Sequence, residues 1–236
     1  MYQSIKLSFQ TLILLRPGFL TLPLLFITLV SFAQNWSFAD YKRYDTNSFM
    51  KLAQINQPID FKNMDRPLLH AAMFYVTNQE RIKYGLKPFK HLDRMEKVAA
   101  DHASDMVNYN FYSHVSRVKG KSTIVDRFKL EGLNLMSIAE NISSSHGLQY
   151  QNGRKVNPPR SGLFTYASSK REVIVPHTYI SYAKEVVRLW MESPSHRKSI
   201  LNPHHEYLGC GAMVYGEKSF YNMPYFMGVQ CFGSGK

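Results

Sequence analysis

The chain reads as an α+β domain in which a small antiparallel sheet near the C-terminus packs against amphipathic helices. Apolar residues recur at helical spacing in three stretches, near residues 66–84, 93–107 and 179–191. Two strand-like apolar runs, 207–215 and 224–232, are separated by the turn Gly216-Glu217-Lys218-Ser219. Strands joined by so short a connection pair antiparallel. A length of 236 residues admits one or two domains, and one domain with an insertion is the simpler arrangement.

Residues 1–33 stand apart. They contain Lys6, Arg16, no acid, and an apolar run over residues 19–33. That run is short for a membrane span, which takes ~20 apolar residues. It is interrupted by Pro23 and ends in Ser31-Phe32-Ala33, the small-x-small pattern that precedes a cleavage site. A secretory signal cut after Ala33 is expected, with an uncleaved anchor as the alternative. The mature protein is then secreted or periplasmic and does not span a membrane.

Of 29 Lys and Arg, removal of Lys6 and Arg16 leaves 27 against 17 acids, a net charge of +10. The basic residues are dispersed, and export argues against nucleic acid as a partner. A soluble basic surface is the plain reading, with weak attraction for anionic cell-envelope polymers as the alternative. Cys210 and Cys231 are the two cysteines, too few to close a structural zinc site alone. Export permits a disulfide. Each cysteine lies in a strand-like run, so neighbouring strands would bring them together, and pairing is expected.

Residues 34–66 are weakly patterned. A short helical stretch at 47–54 and a break at Gln57-Pro58 suggest a leader wrapped on the domain. Pro67 opens the first helix, at a position where a missing N–H costs nothing. Leu68, Leu69, Ala72, Tyr75 and Val76 form its stripe, and Gly85 can take the left-handed cap. Asp93 reads as the N-cap of the second helix, with Glu96 as its capping-box acid. His102 lies on that helix's apolar stripe and is expected as a satisfied core histidine.

His114 follows Phe111-Tyr112-Ser113, and a short helix spans 124–130. Ile138-Ala139-Glu140-Asn141-Ile142 reads as a buried strand, in which a carboxylate is costly unless paired. Asn141-Ile142-Ser143 also fits a glycosylation acceptor. Residues 146–178 are the least regular and read as an insertion or lid near the cleft, with a hairpin between 163–166 and 172–175. The last helix turns Tyr182, Val186, Val187 and Trp190 to the core and runs into Ser193-Pro194-Ser195-His196.

Taken in order, these motifs carry a resemblance: Asn78 and Arg81 on the first helix, Gly-Leu-x-Pro at 85–88, Tyr-Ser-His114, Asp126-Arg127-Phe128, Gly132, Ala139-Glu140-Asn141-Ile142, Trp190-Met-x-Ser-Pro-x-His196-Arg197, and Leu-Gly-Cys-Gly at 208–211. The chain resembles the CAP superfamily (cysteine-rich secretory proteins, antigen 5, pathogenesis-related proteins), in its bacterial SCP-like extracellular branch, over residues 68–233. The resemblance implies a three-layer α-β-α sandwich, residues 67–236 here, with a cleft lined by two histidines and acids. His114 and His196 match the histidines, and Glu140 matches the acid of a Gly-Glu-Asn motif in which Ala139 replaces glycine. The second acid usually lies three residues after the tryptophan, where this chain has Ser193. Glu192, one residue early, and Glu185 are the candidates to replace it.

Two histidines and one or two carboxylates are credible ligands for a divalent metal such as zinc and equally credible acid–base groups. No Gly-x-Ser-x-Gly elbow, nucleophilic cysteine near the site or HExxH pattern accompanies them. The expectation is a non-enzymatic binding module for a small hydrophobic ligand, peptide or cell-envelope component at His114, Glu140, His196 and Glu192. A metal-assisted hydrolase of peptide or cell-wall material is the alternative.

Overall fold

The computed structural model describes residues 35–235; the segment expected as a secretory signal lies outside the described residues. The element order is α1 (Asp40–Arg43), α2 (Thr46–Phe49), a 3-10 turn (Ala53–Asn56), α3 (Arg66–Lys83), β1 (Lys90–His91), α4 (Asp93–Asn108), α5 (Ile124–Leu130), β2 (Met136–His146), β3 (Val156–Arg160), β4 (Leu163–Tyr166), α6 (Tyr179–Glu192), α7 (Pro194–Ile200), β5 (Tyr207–Glu217) and β6 (Met223–Ser234). The main sheet has the order β1-β5-β6-β2. The β5–β6 and β6–β2 pairs are antiparallel. The two-residue β1 adds a parallel edge to the expected antiparallel sheet.

Strand alternation sorts the core into two layers. Leu208, Cys210, Ala212, Phe226 and Phe232 face α3 and α6, where they meet Leu69, Met73, Tyr182, Val186 and Trp190. Ile142, Met227, Val229 and Cys231 face α4 and meet Met95, Val98, Ala99 and Met106. This is the expected α-β-α sandwich. The Leu-Gly-Cys-Gly motif has a direct physical cause. A Cβ on Gly209 or Gly211 would lie 2.2–2.6 Å from backbone atoms of residues 95, 96, 99 and 100, so glycine alone lets α4 seat on β5.

The same alternation overturns the expected disulfide. Cys210 is paired in register with Gln230, and Cys231 with Gly209. The two cysteines therefore project from opposite faces of the sheet into different core layers. Both are free and buried, and adjacent strands do not bridge side chains through the sheet.

The capping box expected at Asp93 is absent: Leu92 is the N-cap, with no side-chain cap. Glu96 is instead 4% exposed and receives three partners. His70 Nδ1 lies 3.1 Å from Oε1; His91 Nε2 at 2.6 Å and the Tyr41 hydroxyl at 2.8 Å contact Oε2. Tyr41 also stacks on His91 at 3.4 Å, so the residues before α3 are tied to α4 through this acid. Trp36, Phe49, Ile55 and Ile59 join the α3 core layer as well.

In the insertion, β4 pairs with β3 and on its other side with 172–174, as expected, through Tyr166 N–H to the Glu172 carbonyl and Ile174 N–H to the Phe164 carbonyl. That latter segment contributes the bridge Thr165↔Val173. The buried side of the insertion packs with Met223, Phe220 and Tyr225. Its root at His146 lies six residues along β2 from Glu140, roughly 20 Å at ~3.3 Å per residue.

Burial alone would raise the Glu96 pKa, but hydrogen bonds and charge from His70 and His91 outweigh it and lower it from 4.5 to about 2. A depressed carboxyl pKa stabilises the fold above the unfolded value, and that contribution disappears as pH falls through the folded one. Urea unfolding between pH 5 and about 2 should show wild-type stability falling by on the order of 3 kcal/mol from this group. Glu96→Gln should be less stable at pH 5 and flatter across the range; equal acid limbs would contradict the assignment.

Candidate functional site

Three successive residues of the edge strand β2 build the site, each in a different direction. Glu140 points to the α4 side. Its Oε2 accepts from Arg127 Nη2 at 2.6 Å, and its Oε1 lies 2.9 Å from His114 Nδ1. The Glu140 and Arg127 side chains are only 4% and 2% exposed. Arg127 is placed by α5, whose first turn is fixed by a Thr123–Asp126 capping box. Its Nη1 donates to the carbonyls of His114 and Lys121, each at 3.2 Å. One guanidinium thus neutralises the acid and also holds the loop that carries His114.

His102, on α4, is fully buried. Its Nε2 lies 3.1 Å from the Ser113 carbonyl and 3.7 Å from Glu140 Oε1. Burial lowers its pKa, against the pull of Glu140. The neutral ring therefore donates Nε2–H to Ser113. Its Nδ1 is buried without a partner, so the expected satisfied core histidine is satisfied on one side only.

Asn141 points to the opposite layer. Its Nδ2 donates to the His196 carbonyl at 3.1 Å and to Gln230 Oε1 at 3.0 Å, and Gln230 in turn donates to Thr77. Asn141 is fully buried, which excludes it as a glycan acceptor in the folded state and assigns it to holding α7. The Ile142 carbonyl, on the sheet edge, accepts from Trp190 Nε1 at 3.2 Å and from the Tyr112 hydroxyl at 3.3 Å. Sequence reading stops the helical pattern at Ser193-Pro194, but Pro194 instead starts α7, on which His196 sits. Arg81 fastens the far end of α7 through the Ile200 and Asn202 carbonyls.

The Arg127-held loop and the Asn141-held α7 bring His114 and His196 near enough for their charges to interact. The pKa of His196 is lowered first by its partial burial and then by the proximity of His114. Glu192 does not join them. It is exposed and pairs with Arg188, as Glu185 does. Arg127 and Asn141, whose roles sequence reading did not assign, complete the site. A buried glutamate in a strand requires a cation, and that requirement was the signal for Arg127.

The donor chemistry fits a metal poorly. Both Glu140 oxygens are engaged within the protein, and Glu192 is elsewhere. Among the described residues, no group of three His, Cys, Asp or Glu side chains is arranged to hold an ion. The His114 Nε2 and the His196 ring remain, fewer than the three protein ligands of a catalytic zinc. A groove of about 590 Å³, lined by Met106, Phe111, Tyr112, Tyr215 and Met227 together with Asn108, Asn110, Glu217 and Lys218, adjoins the start of the His114 loop without including either histidine.

The α-β-α fold and the order of its motifs define a CAP-type domain. Residues 74–232 match the cysteine-rich secretory protein family (CAP), and the chain belongs to that family. It is 29% identical over 141 residues to YkwD of Bacillus subtilis (strain 168), covering 60% of this chain and 41% of that protein. It is 26% identical over 136 residues to the membrane protein YlbC of the same organism, covering 58% and 29%. The chain thus spans well under half the length of either relative. Among solved structures it is similar to an extracellular SCP-domain protein of Bacillus anthracis (TM-score 0.48, 20% identity, 72% of this chain and 42% of that one). It is also similar to an outer surface protein of Borrelia burgdorferi (TM-score 0.46, 18% identity, 77% and 99%). No helix among the described residues is long and apolar enough to cross a membrane.

Removing Arg127 leaves a buried uncompensated carboxylate. Arg127→Met should cost about 3–5 kcal/mol in denaturant unfolding. The double variant Arg127→Met/Glu140→Met should recover much of that loss, because no charge is then stranded. A double variant as unstable as the sum of the two singles would show that the pair is not the energetic unit.

Proposed function

We propose that this CAP domain is an extracytoplasmic binding module that holds a small hydrophobic ligand or a peptide against His114 and His196. The observation that carries the reading is the internal consumption of Glu140. With one oxygen on Arg127 and the other on His114, the acid serves to orient an imidazole rather than to face a substrate. What remains outward is the His114 imidazole, two residues along the chain from Tyr112, which lines a groove with Phe111, Tyr215, Met106 and Met227. Such a surface supplies apolar contact with a few fixed polar groups, the usual composition of a ligand site. The apolar run ending at Ala33 supports export.

The carboxylate–imidazole contact also favours a second reading, in which His114 acts as a general base. Metal-assisted hydrolysis is less well supported because the ligand set is short.

Organic extraction of the purified protein followed by mass spectrometry tests the binding reading. The wild type should release an apolar compound or retain one from an offered pool of lipids and peptides. Retention should fall about tenfold in Tyr112→Ala and in the double variant His114→Ala/His196→Ala, each interface group contributing ~1 kcal/mol or more. Stoichiometric zinc in the wild type that is lost with either histidine, together with His114-dependent peptide cleavage, would establish the hydrolase instead.

A further inference from the structure

The insertion, residues 146–178, is two-sided in a way that the site does not use. Its strands β3 and β4 are extended by residues 172–174, through Tyr166 N–H to the Glu172 carbonyl and Ile174 N–H to the Phe164 carbonyl. Phe164, Tyr166 and Ile174 are buried beneath this small sheet. The alternate residues face outward: Leu163, Val173 and Val175 are 58%, 47% and 49% exposed. Thr165 bridges Val173, Asn157 pairs with Thr165, and Arg160 pairs with Leu163 across the Ser161-Gly162 turn. Two-residue periodicity puts Lys155 on this same outer side, and the exposed Arg171 stands at the turn that leads into 172–174.

The charge is as uneven as the apolarity. The segment contains Arg154, Lys155, Arg160, Lys170 and Arg171 against the single acid Glu172. That acid is held by Arg154, whose guanidinium lies over Tyr166. The remaining four cations are in no ion pair among the described residues and are exposed. The outer face therefore interleaves apolar side chains with unpaired cations.

We propose that this face docks the protein peripherally on an anionic phospholipid surface. A soluble polyanion would reward the cations alone and leave Leu163, Val173 and Val175 in water. A bilayer interface rewards both: apolar side chains enter the boundary with the acyl chains, while Lys and Arg reach the phosphates on long stems. The inference is independent of any ligand at His114.

Co-sedimentation of the full chain with vesicles tests it. Neutral phosphatidylcholine vesicles report whatever residues 19–33 contribute, and equimolar phosphatidylcholine–phosphatidylglycerol vesicles report the anionic component. The wild type should partition more strongly to the anionic vesicles and lose that excess at high salt. Arg160→Glu/Arg171→Glu should reduce the excess by about tenfold or more, since each basic side chain near the surface contributes roughly fivefold. Leu163→Ser/Val175→Ser, which leaves charge unchanged, should reduce it severalfold. All four positions are exposed, and unchanged thermal melts confirm that the variants fold. Equal partitioning of the wild type to both vesicles would overturn the proposal. Undiminished binding by the serine variant, with full competition by polyphosphate, would also overturn it and make the face a polyanion site.

Discussion

Glu140 lies in the middle of an edge strand with 4% of its side chain exposed, beside Arg127 with 2%. Transfer of either charge alone into such an environment costs several kcal/mol, and only a well-made pair offsets the cost. The geometry of the site follows from meeting this requirement. Arg127 comes from α5, and its ion pair ties that helix to β2. The guanidinium has donors to spare, and these take the carbonyls of the His114 loop. The second carboxylate oxygen is then left to a single imidazole. The site is built around an internal charge balance, and His114 is its outward end.

The two residues that follow extend this hub across the sheet. Asn141 takes the backbone of α7 in the opposite helical layer, and Ile142 offers an edge carbonyl to Trp190 and Tyr112. An edge strand usually has to protect its unpaired groups; here that protection comes from the elements that flank the site. Gly209 and Gly211 make the arrangement possible from the other side, because they let α4, and with it His102, approach the sheet to backbone contact.

Much of this was legible in the sequence. The 3.6-residue periodicity located α3, α4 and α6, and the two final strands were evident, although Gly216 and Glu217, expected in the turn, continue β5 and pair with Pro224 and Met223. The order of short motifs identified the family and singled out His114 and Glu140, which lie in contact. What was not legible depended on information that a local pattern does not contain. The cysteines were expected to pair because neighbouring strands can bring residues together, but strand register, a tertiary property, sent them to opposite faces. Glu96 has the spacing of a capping-box acid and is instead claimed by His70 and Tyr41, both far from it in sequence, and by His91 just before the helix. Glu192 sits close to the expected acidic position, yet one residue on a helix is a rotation of about 100°, enough to turn it out to Arg188. Ser193-Pro194 reads equally well as the end of a helix or the start of one, and it is both.

The central claim is that Glu140, neutralised by Arg127, fixes His114 through its Nδ1 and leaves Nε2 outward. A carboxylate oxygen at 2.9 Å requires Nδ1 to carry the proton, whichever ring atom an isolated histidine would favour. Nitrogen-15 NMR of the imidazole, assigned by comparison with His114→Ala, measures this directly. The account predicts that neutral His114 is the Nδ1–H tautomer, with an unprotonated Nε2. A neutral His114 protonated at Nε2 would contradict it.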